Sequence, residues 1–340
     1  MVMRAHSKAD APRILITERL AEPGIDFLRR ELPEAQIDQR FGLGPAQLRA
    51  LIGGYSALII RSQTRVTDDL LAAAPRLQVI GRAGSGVDNI DLEAASRRGV
   101  LVVHAPRGNV LAAAEHTLAL LLSLARHIPT ANGSLKAGTW EKSRFVGVEL
   151  SGKTLAILGL GKVGREVAQR AQAFSMRVQA CDPLVSVEQA NLAGVTMRSL
   201  AEVLRQADFV TLHASLPADA GEVTRLIGAR ELGLLKTSAY LVNCARGGLI
   251  DEAALLAALE QGRLAGAALD VFSQEPIGDD LVLRRLLAHE RVIATPHLGA
   301  STAEAQARVA TEIARNVVSA LRGDTLMNAV PPIFPLTRPA

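Results

Sequence analysis

The stretch Leu155-Ala-Ile-Leu-Gly159-Leu-Gly161-Lys-Val-Gly164-Arg-Glu-Val-Ala168 decides how this chain is read. An apolar run enters Gly-x-Gly-x-x-Gly, and a helical pattern leaves it: strand, tight turn, helix. Gly159 permits the turn, Gly161 lets backbone approach a pyrophosphate, and Gly164 allows close helix–strand packing. The helix start at Lys162 and Val163 then offers free N–H groups and the positive end of a dipole to phosphates. The next apolar run, Arg177 to Cys181, ends at Asp182. A dinucleotide fold places an acid about 20 residues on to bind ribose hydroxyls. A carboxylate there disfavours the 2′-phosphate of NADP, and Arg177 begins the strand at its opposite end, so NAD is the expected cofactor. The plainer reading of Asp182 is a turn residue before Pro183.

Working outward, further apolar runs of strand length are Thr154–Leu158, Asp208–His213, Ala239–Asn243, Gly266–Asp270 and Arg291–Ala294. Before the fingerprint come Arg13–Thr17, Ser56–Ile60, Leu77–Ile80 and Val100–His104, separated by helical stretches such as Ala21–Arg30 and Thr67–Ala73. Strands alternating with helices imply βαβ units, parallel sheets and an α/β class. An Ala/Leu-rich helix is expected from Gly108 to about His127, with Asn109 a candidate cap. Gly133, Gly138, Gly147 and Gly152 then suggest a loop-rich stretch, and a last helix runs from Thr302 to about Leu321. At 340 residues two domains are expected. The net charge of +4 is small and unclustered, which argues against a nucleic-acid surface. The apolar stretch Leu118–Ala125 is too short to span a bilayer. Residues 1–12 lack the apolar core of a signal peptide. Cys181 and Cys244 have neither disulfide nor metal spacing, so the expectation is a cytoplasmic protein with no metal.

Three side chains follow strand-like runs in order: Arg246, Glu275 and His297. Each would emerge at a strand's carboxyl end, where open parallel sheets bind ligands. A 2-hydroxy acid undergoing hydride transfer needs its carboxylate held, its C2 oxygen polarised and one proton moved. Arg246 has the fixed fork of donors for the first two tasks. His297 can carry the proton. Glu275 can accept the other imidazole N–H and fix the tautomer. Singly, each has an ordinary alternative: loop ion pair, helix cap, satisfied histidine.

These residues, with Gly81-Arg-Ala-Gly-Ser-Gly-Val-Asp-Asn-Ile-Asp91, Val242-Asn-Cys-Ala-Arg-Gly-Gly248, Ala268-Leu-Asp-Val-Phe272 and Pro296-His-Leu-Gly-Ala-Ser-Thr302, carry a resemblance. From about Arg13 to Gly323 the chain resembles the D-isomer-specific 2-hydroxyacid dehydrogenases, and within them the branch acting on 3-phospho-D-glycerate. The resemblance implies two Rossmann-like domains with a cleft between them, the nucleotide domain inserted into a discontinuous substrate domain. Residues 1–105 and 299–340 would bind substrate and 106–298 NAD. It makes Arg246, Glu275 and His297 the substrate arginine, orienting glutamate and catalytic histidine. Cofactor contacts would fall on Gly159, Gly161, Lys162, Val163, Gly164, Asp182, Cys244, Ala245, Arg246, Asp270, His297, Gly299 and Ala300. Arg61, Arg82, Ser85 and Gly86 would join Arg246 and His297 around substrate. Lys142 and Arg144, beside Trp140, resemble a basic stretch that reaches a neighbouring subunit's substrate.

The expected reaction is NAD-dependent oxidation of 3-phospho-D-glycerate to 3-phosphohydroxypyruvate, the entry to serine synthesis. Alternatives are a glyoxylate or hydroxypyruvate reductase, another D-2-hydroxyacid dehydrogenase, or a non-catalytic NAD-sensing module like the dehydrogenase-like corepressors. A homodimer or higher homo-oligomer is implied, supported by the helix after Gly108. His116, within that helix, reads as packing or interface. Two departures from the family are expected to matter. His213-Ala-Ser-Leu-Pro217 stands where many members have Thr-Pro after the histidine. A short form without C-terminal regulatory domains, and so without serine feedback through them, is also expected.

Overall fold

The computed structural model describes residues 11–214, 225–326 and 328–331. Fully buried runs such as Ala57-Leu-Ile-Ile60 and Tyr240-Leu-Val-Asn243 are what a parallel sheet covered on both faces selects. The chain divides into two compact units, residues 1–109 with 302–340, and residues 110–301. The breaks expected from sequence were at 105/106 and 298/299.

The first unit holds a five-stranded parallel sheet. Its strands are β1 (Arg13–Ile16), β2 (Gln36–Gln39), β3 (Ala57–Ile60), β4 (Val79–Arg82) and β5 (Leu101–His104), in the order β2-β1-β3-β4-β5. β2 is a polar edge strand that shows no apolar run in sequence. β4 begins two residues later than Leu77 and includes Arg82, which was expected to follow a strand ending at Ile80. The helix Ala303–Arg322 closes one face. Thr302 caps it, accepting from the Ala305 amide at 3.1 Å, and Gly323 ends it in the left-handed region at φ 76°. Val309, Ile313 and Val317 enter the core with Ile14, Ile16 and Val79. A Cβ at Gly24 would meet the Ala310 carbonyl oxygen at 2.5 Å, so the helix Glu22–Glu31 approaches this last helix through bare backbone.

The second unit holds a seven-stranded parallel sheet in the order β12-β11-β10-β9-β6-β7-β8. Here β6 is Thr154–Leu158, β7 Arg177–Cys181, β8 Thr196–Met197, β9 Phe209–Leu212, β10 Tyr240–Asn243, β11 Gly266–Leu269 and β12 Val292–Ala294. The strand order reverses direction between β6 and β9, which defines a ligand-binding switch point. The expected long helix spans Val110–Ala125; Ala113, Ala114, Thr117, Leu118 and Leu121 are buried, and it packs on β10, β11 and the helix Lys162–Ala173. The stretch read as loop after it begins with another helix, Ile128–Lys136, with Gly133 inside. Proline near its first turn and the absence of a β-branched run offset what Gly133 takes away.

Candidate active site

At the switch point the fingerprint has the form its glycines require. Gly159 holds φ 97°, and a Cβ there would come within 2.6 Å of the Ala214 amide nitrogen. A Cβ at Gly164 would lie 2.2 Å from the Gly159 carbonyl oxygen. A Cβ at Gly161 would meet nothing within 4 Å, and Gly161 starts the helix Lys162–Ala173 with no side-chain cap. Open space, an exposed Lys162 and uncapped N–H groups fit a dinucleotide pyrophosphate. Asp182 follows β7 and accepts from the Leu160 amide at 2.7 Å and the Leu184 amide at 2.8 Å. It therefore braces the glycine turn, and each oxygen keeps a lone pair for a ribose hydroxyl. His213 follows β9 at the same switch point. Its Nε2 is buried without a partner among the described residues, and burial pushes its pKa down to about 4. Ser215 to Pro217, part of the departure noted from sequence, lie outside the described residues.

The other strand ends on this side carry the expected triad. Asn243, buried at the end of β10, shapes the loop behind it: its Nδ2 donates to the Arg246 carbonyl at 2.8 Å and its Oδ1 accepts from the Ala245 amide at 3.0 Å. Gly247 then presses this loop against Phe272 beyond β11, with room for no side chain. Glu275, in the same loop as Phe272, accepts from the Phe272 amide at 2.9 Å through Oε1 and meets His297 Nδ1 at 2.6 Å through Oε2. Burial pushes the Glu275 carboxyl up, but its bonds from His297 and Phe272 win and hold it below the ordinary glutamate value. With Nδ1 engaged, His297 has Nε2 for a reacting oxygen. Its side chain is 45% exposed, enough for a ligand to reach. The structure thus brings Glu275 and His297 together and places Arg246 at the neighbouring strand exit.

His297 has φ 54°, a left-handed backbone for a residue with a Cβ. Such strain is of order 1–3 kcal/mol and needs support. Asp270, fully buried after β11, supplies it. Its carbonyl accepts from the His297 amide at 2.8 Å, Oδ1 from the Leu298 amide at 2.7 Å and Oδ2 from the Gly299 amide at 2.9 Å. Thr295 Oγ1 donates to Oδ1 at 2.6 Å, and His116 Nε2 lies 3.1 Å from both Oδ1 and Thr295 Oγ1. Burial pushes Asp270 up; bonds from His116, Thr295 and Leu298 outweigh it and keep the carboxyl below its ordinary value. Sequence reading had put His116 in packing or an interface. No sequence signal joined it to Asp270. Cys244 lies beside the pair: its Sγ, a His116 ring nitrogen and an Asp270 oxygen lie within 4.8 Å of one another. Burial pushes the Cys244 thiol up to about 12, so a neutral thiol lies beside an Asp270 carboxylate held by donors from Thr295, Leu298, Gly299 and His116.

In the first unit the strand order reverses between β1 and β3. There Glu18 accepts from the amides of Arg61 at 2.8 Å, Gln63 at 3.1 Å and Thr64 at 3.0 Å. Asn89 Nδ2 donates to the carbonyls of Arg61 and Thr64 at 2.9 and 2.7 Å. The loop carrying Arg61 is thus clamped from both sides. Burial raises Glu18, but the three backbone bonds prevail and lower its pKa. The Arg82 guanidinium lies over Gly84, where a Cβ would fall 1.6 Å from its Nη1. Ser85 offers its carbonyl to His104 Nδ1 at 2.7 Å, with Gly86 next in the turn. Of the basic pair near Trp140, Arg144 bonds Glu141 at 3.2 Å and lies 3.6 Å from Glu290, so it has partners within its own unit.

Residues 118–299 match the family described as D-isomer specific 2-hydroxyacid dehydrogenase, NAD binding domain. The chain belongs to that family. It is 45% identical over 318 residues to a D-3-phosphoglycerate dehydrogenase of Synechocystis, covering 94% of this chain and 56% of that protein. The chain spans about half the length of the relatives it matches in this way. Among solved structures, the TT0316 protein of Thermus thermophilus is 34% identical with a TM-score of 0.82, covering 94% of this chain and 99% of that one. A D-lactate dehydrogenase of Aquifex aeolicus, complexed with NAD and lactic acid, is 27% identical with a TM-score of 0.81, covering 92% and 96%. The expectations of family, fold and an NAD-binding domain hold. Among the described residues no helix is long and apolar enough to cross a membrane.

Proposed function

We propose that this protein oxidises 3-phospho-D-glycerate to 3-phosphohydroxypyruvate with NAD. The observation that carries the reaction class is the 2.6 Å contact of Glu275 Oε2 with His297 Nδ1, which fixes the imidazole with Nε2 available. Arg246 holds the substrate carboxylate and C2 oxygen. His297 Nε2 accepts the C2 hydroxyl proton while the C2 hydride departs, and Glu275 stabilises the imidazolium that results. Such a positioned base contributes roughly 10²–10⁴-fold in rate. NAD, when bound, supplies the hydride acceptor. Gly159 to Gly164 hold its pyrophosphate, Asp182 its ribose, and the Cys244–Arg246 backbone, Asp270, Gly299 and Ala300 its nicotinamide end. Asp182 favours NAD over NADP.

The phosphorylated substrate is supported by the name shared by the relatives at 44–49% identity and by cations at β-strand ends. We assign Arg61 and Arg82 to the phosphate, and Ser85 and Gly86 to the carboxylate or nicotinamide end. The substrate role of residues 1–105 with 299–340, the nucleotide role of 106–298, a homodimer or larger homo-oligomer and a cytoplasmic location belong to the same reading. Two free cysteines suit the last. The test is NADH formation from 3-phospho-D-glycerate and D-glycerate by wild type and Arg82→Ala. A larger loss on the phosphorylated substrate is expected; an equal loss on both refutes the phosphate assignment.

A further inference from the structure

We infer that His116 is a positioning residue for His297, acting through the buried carboxylate of Asp270. The inference rests on the reading of His297 as the proton-transfer group. Thr295 Oγ1, 2.6 Å from Asp270 Oδ1, commits its only proton to that carboxylate. It therefore turns a lone pair toward His116 Nε2 at 3.1 Å, and Asp270 Oδ1 presents another at the same distance. Two acceptors facing one ring nitrogen require that nitrogen to carry the proton. His116 Nε2–H thus bridges the carboxylate and the hydroxyl, and fixes both.

Those two groups define the His297 turn. Thr295 begins it, two residues before His297, and Asp270 takes the amides of Leu298 and Gly299 on separate oxygens and that of His297 on its carbonyl. The carboxylate has no solvent to fall back on, so each donor lost leaves a buried charge less satisfied. His116 is mounted to hold its place: the helix Val110–Ala125 packs on β10 and β11, and its neighbours Ala113 and Thr117 are buried. A left-handed His297 (φ 54°) relaxes once its anchor loosens, and Nε2 then leaves its line toward the reacting oxygen.

The test uses two amide variants of similar bulk. Gln at position 116 places an amide nitrogen as many bonds from the backbone as His Nε2; Asn falls one bond short. Amide hydrogen exchange at Leu298 and Gly299, read against β6 amides as an internal control, reports the anchor without any turnover. His116→Asn is expected to speed exchange there by about tenfold, and His116→Gln to stay near wild type. With a substrate that turns over, His116→Asn is expected to lower kcat about tenfold at a nearly unchanged KM, with Gln restoring it. Unchanged exchange in His116→Asn overturns the inference, and so does an equal effect of both variants. A wild type that turns over no D-2-hydroxy acid overturns the proposed function instead, and the exchange experiment still decides on His116.

Discussion

Gly247→Ala adds one methyl group to the loop that carries Arg246. A Cβ there would lie 1.9 Å from the Phe272 carbonyl carbon, 2.1 Å from its oxygen and 2.4 Å from the Ser273 nitrogen, where ordinary contact begins at 3.4 Å. The gap must open by about 1.5 Å, and all three obstacles are backbone. One side of the gap is tied by Asn243 to the Arg246 carbonyl, the other by the Phe272 amide to Glu275. Whichever side yields, Arg246 and Glu275 separate. Overpacking of this kind costs about 1–3 kcal/mol of stability. A shift of about 1 Å in a positioning group lowers rate by about 100-fold, or roughly 2.7 kcal/mol at the transition state. Steady-state kinetics should therefore show kcat/KM for the hydroxy acid falling about 100-fold, with a lower thermal midpoint. NADH affinity, followed by fluorescence, should fall far less, because the fingerprint turn is built on β6 and β7. A variant with wild-type kcat/KM and a soluble fold would refute the claim that this backbone contact sets the site.

Glu275→Gln keeps the shape but removes the charge facing His297; with both groups more than a third exposed, solvent screening leaves about 1–2 kcal/mol, a fall of roughly tenfold in kcat/KM. Asp182→Arg should shift cofactor preference toward NADP, measured as the ratio of kcat/KM for the two nucleotides, and an unchanged ratio would remove Asp182 from the ribose site. His213 predicts acid sensitivity. Its folded pKa, lowered from 6.5 to about 4, means that between those values only the unfolded chain binds the proton, so stability falls as pH drops from 6.5. The loss approaches about 3 kcal/mol near pH 4 for a group so buried, and in urea melts of the nucleotide-free protein His213→Leu should flatten this part of the pH dependence. Cys244, half-buried with its thiol raised to about 12, should resist alkylation at pH 8 until the protein unfolds; rapid labelling of the native chain would contradict that raised value.

Much of this fold was legible because buried parallel strands leave continuous apolar runs. From Thr154–Leu158 to Val292–Ala294 six strands fall within their expected ranges, and β8, two residues at the sheet edge, had no apolar run to announce it. β2 escaped because Gln36-Ile-Asp-Gln39 is an edge, and the helix Ile128–Lys136 because Thr, Asn, Gly and Ser obscure its period. Arg246, Glu275 and His297 were readable since each sits just past an apolar run. Their supports were not. His116 meets Asp270, and Glu18 and Asn89 clamp the Arg61 loop, across distances in sequence that no local pattern encodes. Asn243 acts within three residues but lies hidden in an apolar run.

The last helix has a consequence for how the chain is made. Residues 110–301 are contiguous, so that unit can assemble as soon as it leaves the ribosome. The first sheet is synthesised earlier yet must wait, with Ile14, Ile16 and Val79 uncovered, until Val309, Ile313 and Val317 arrive more than 200 residues later. Vectorial synthesis thus inverts the order in which the two cores close. During that interval the exposed apolar face is where a chaperone would bind and where premature termination would expose the nascent protein to aggregation.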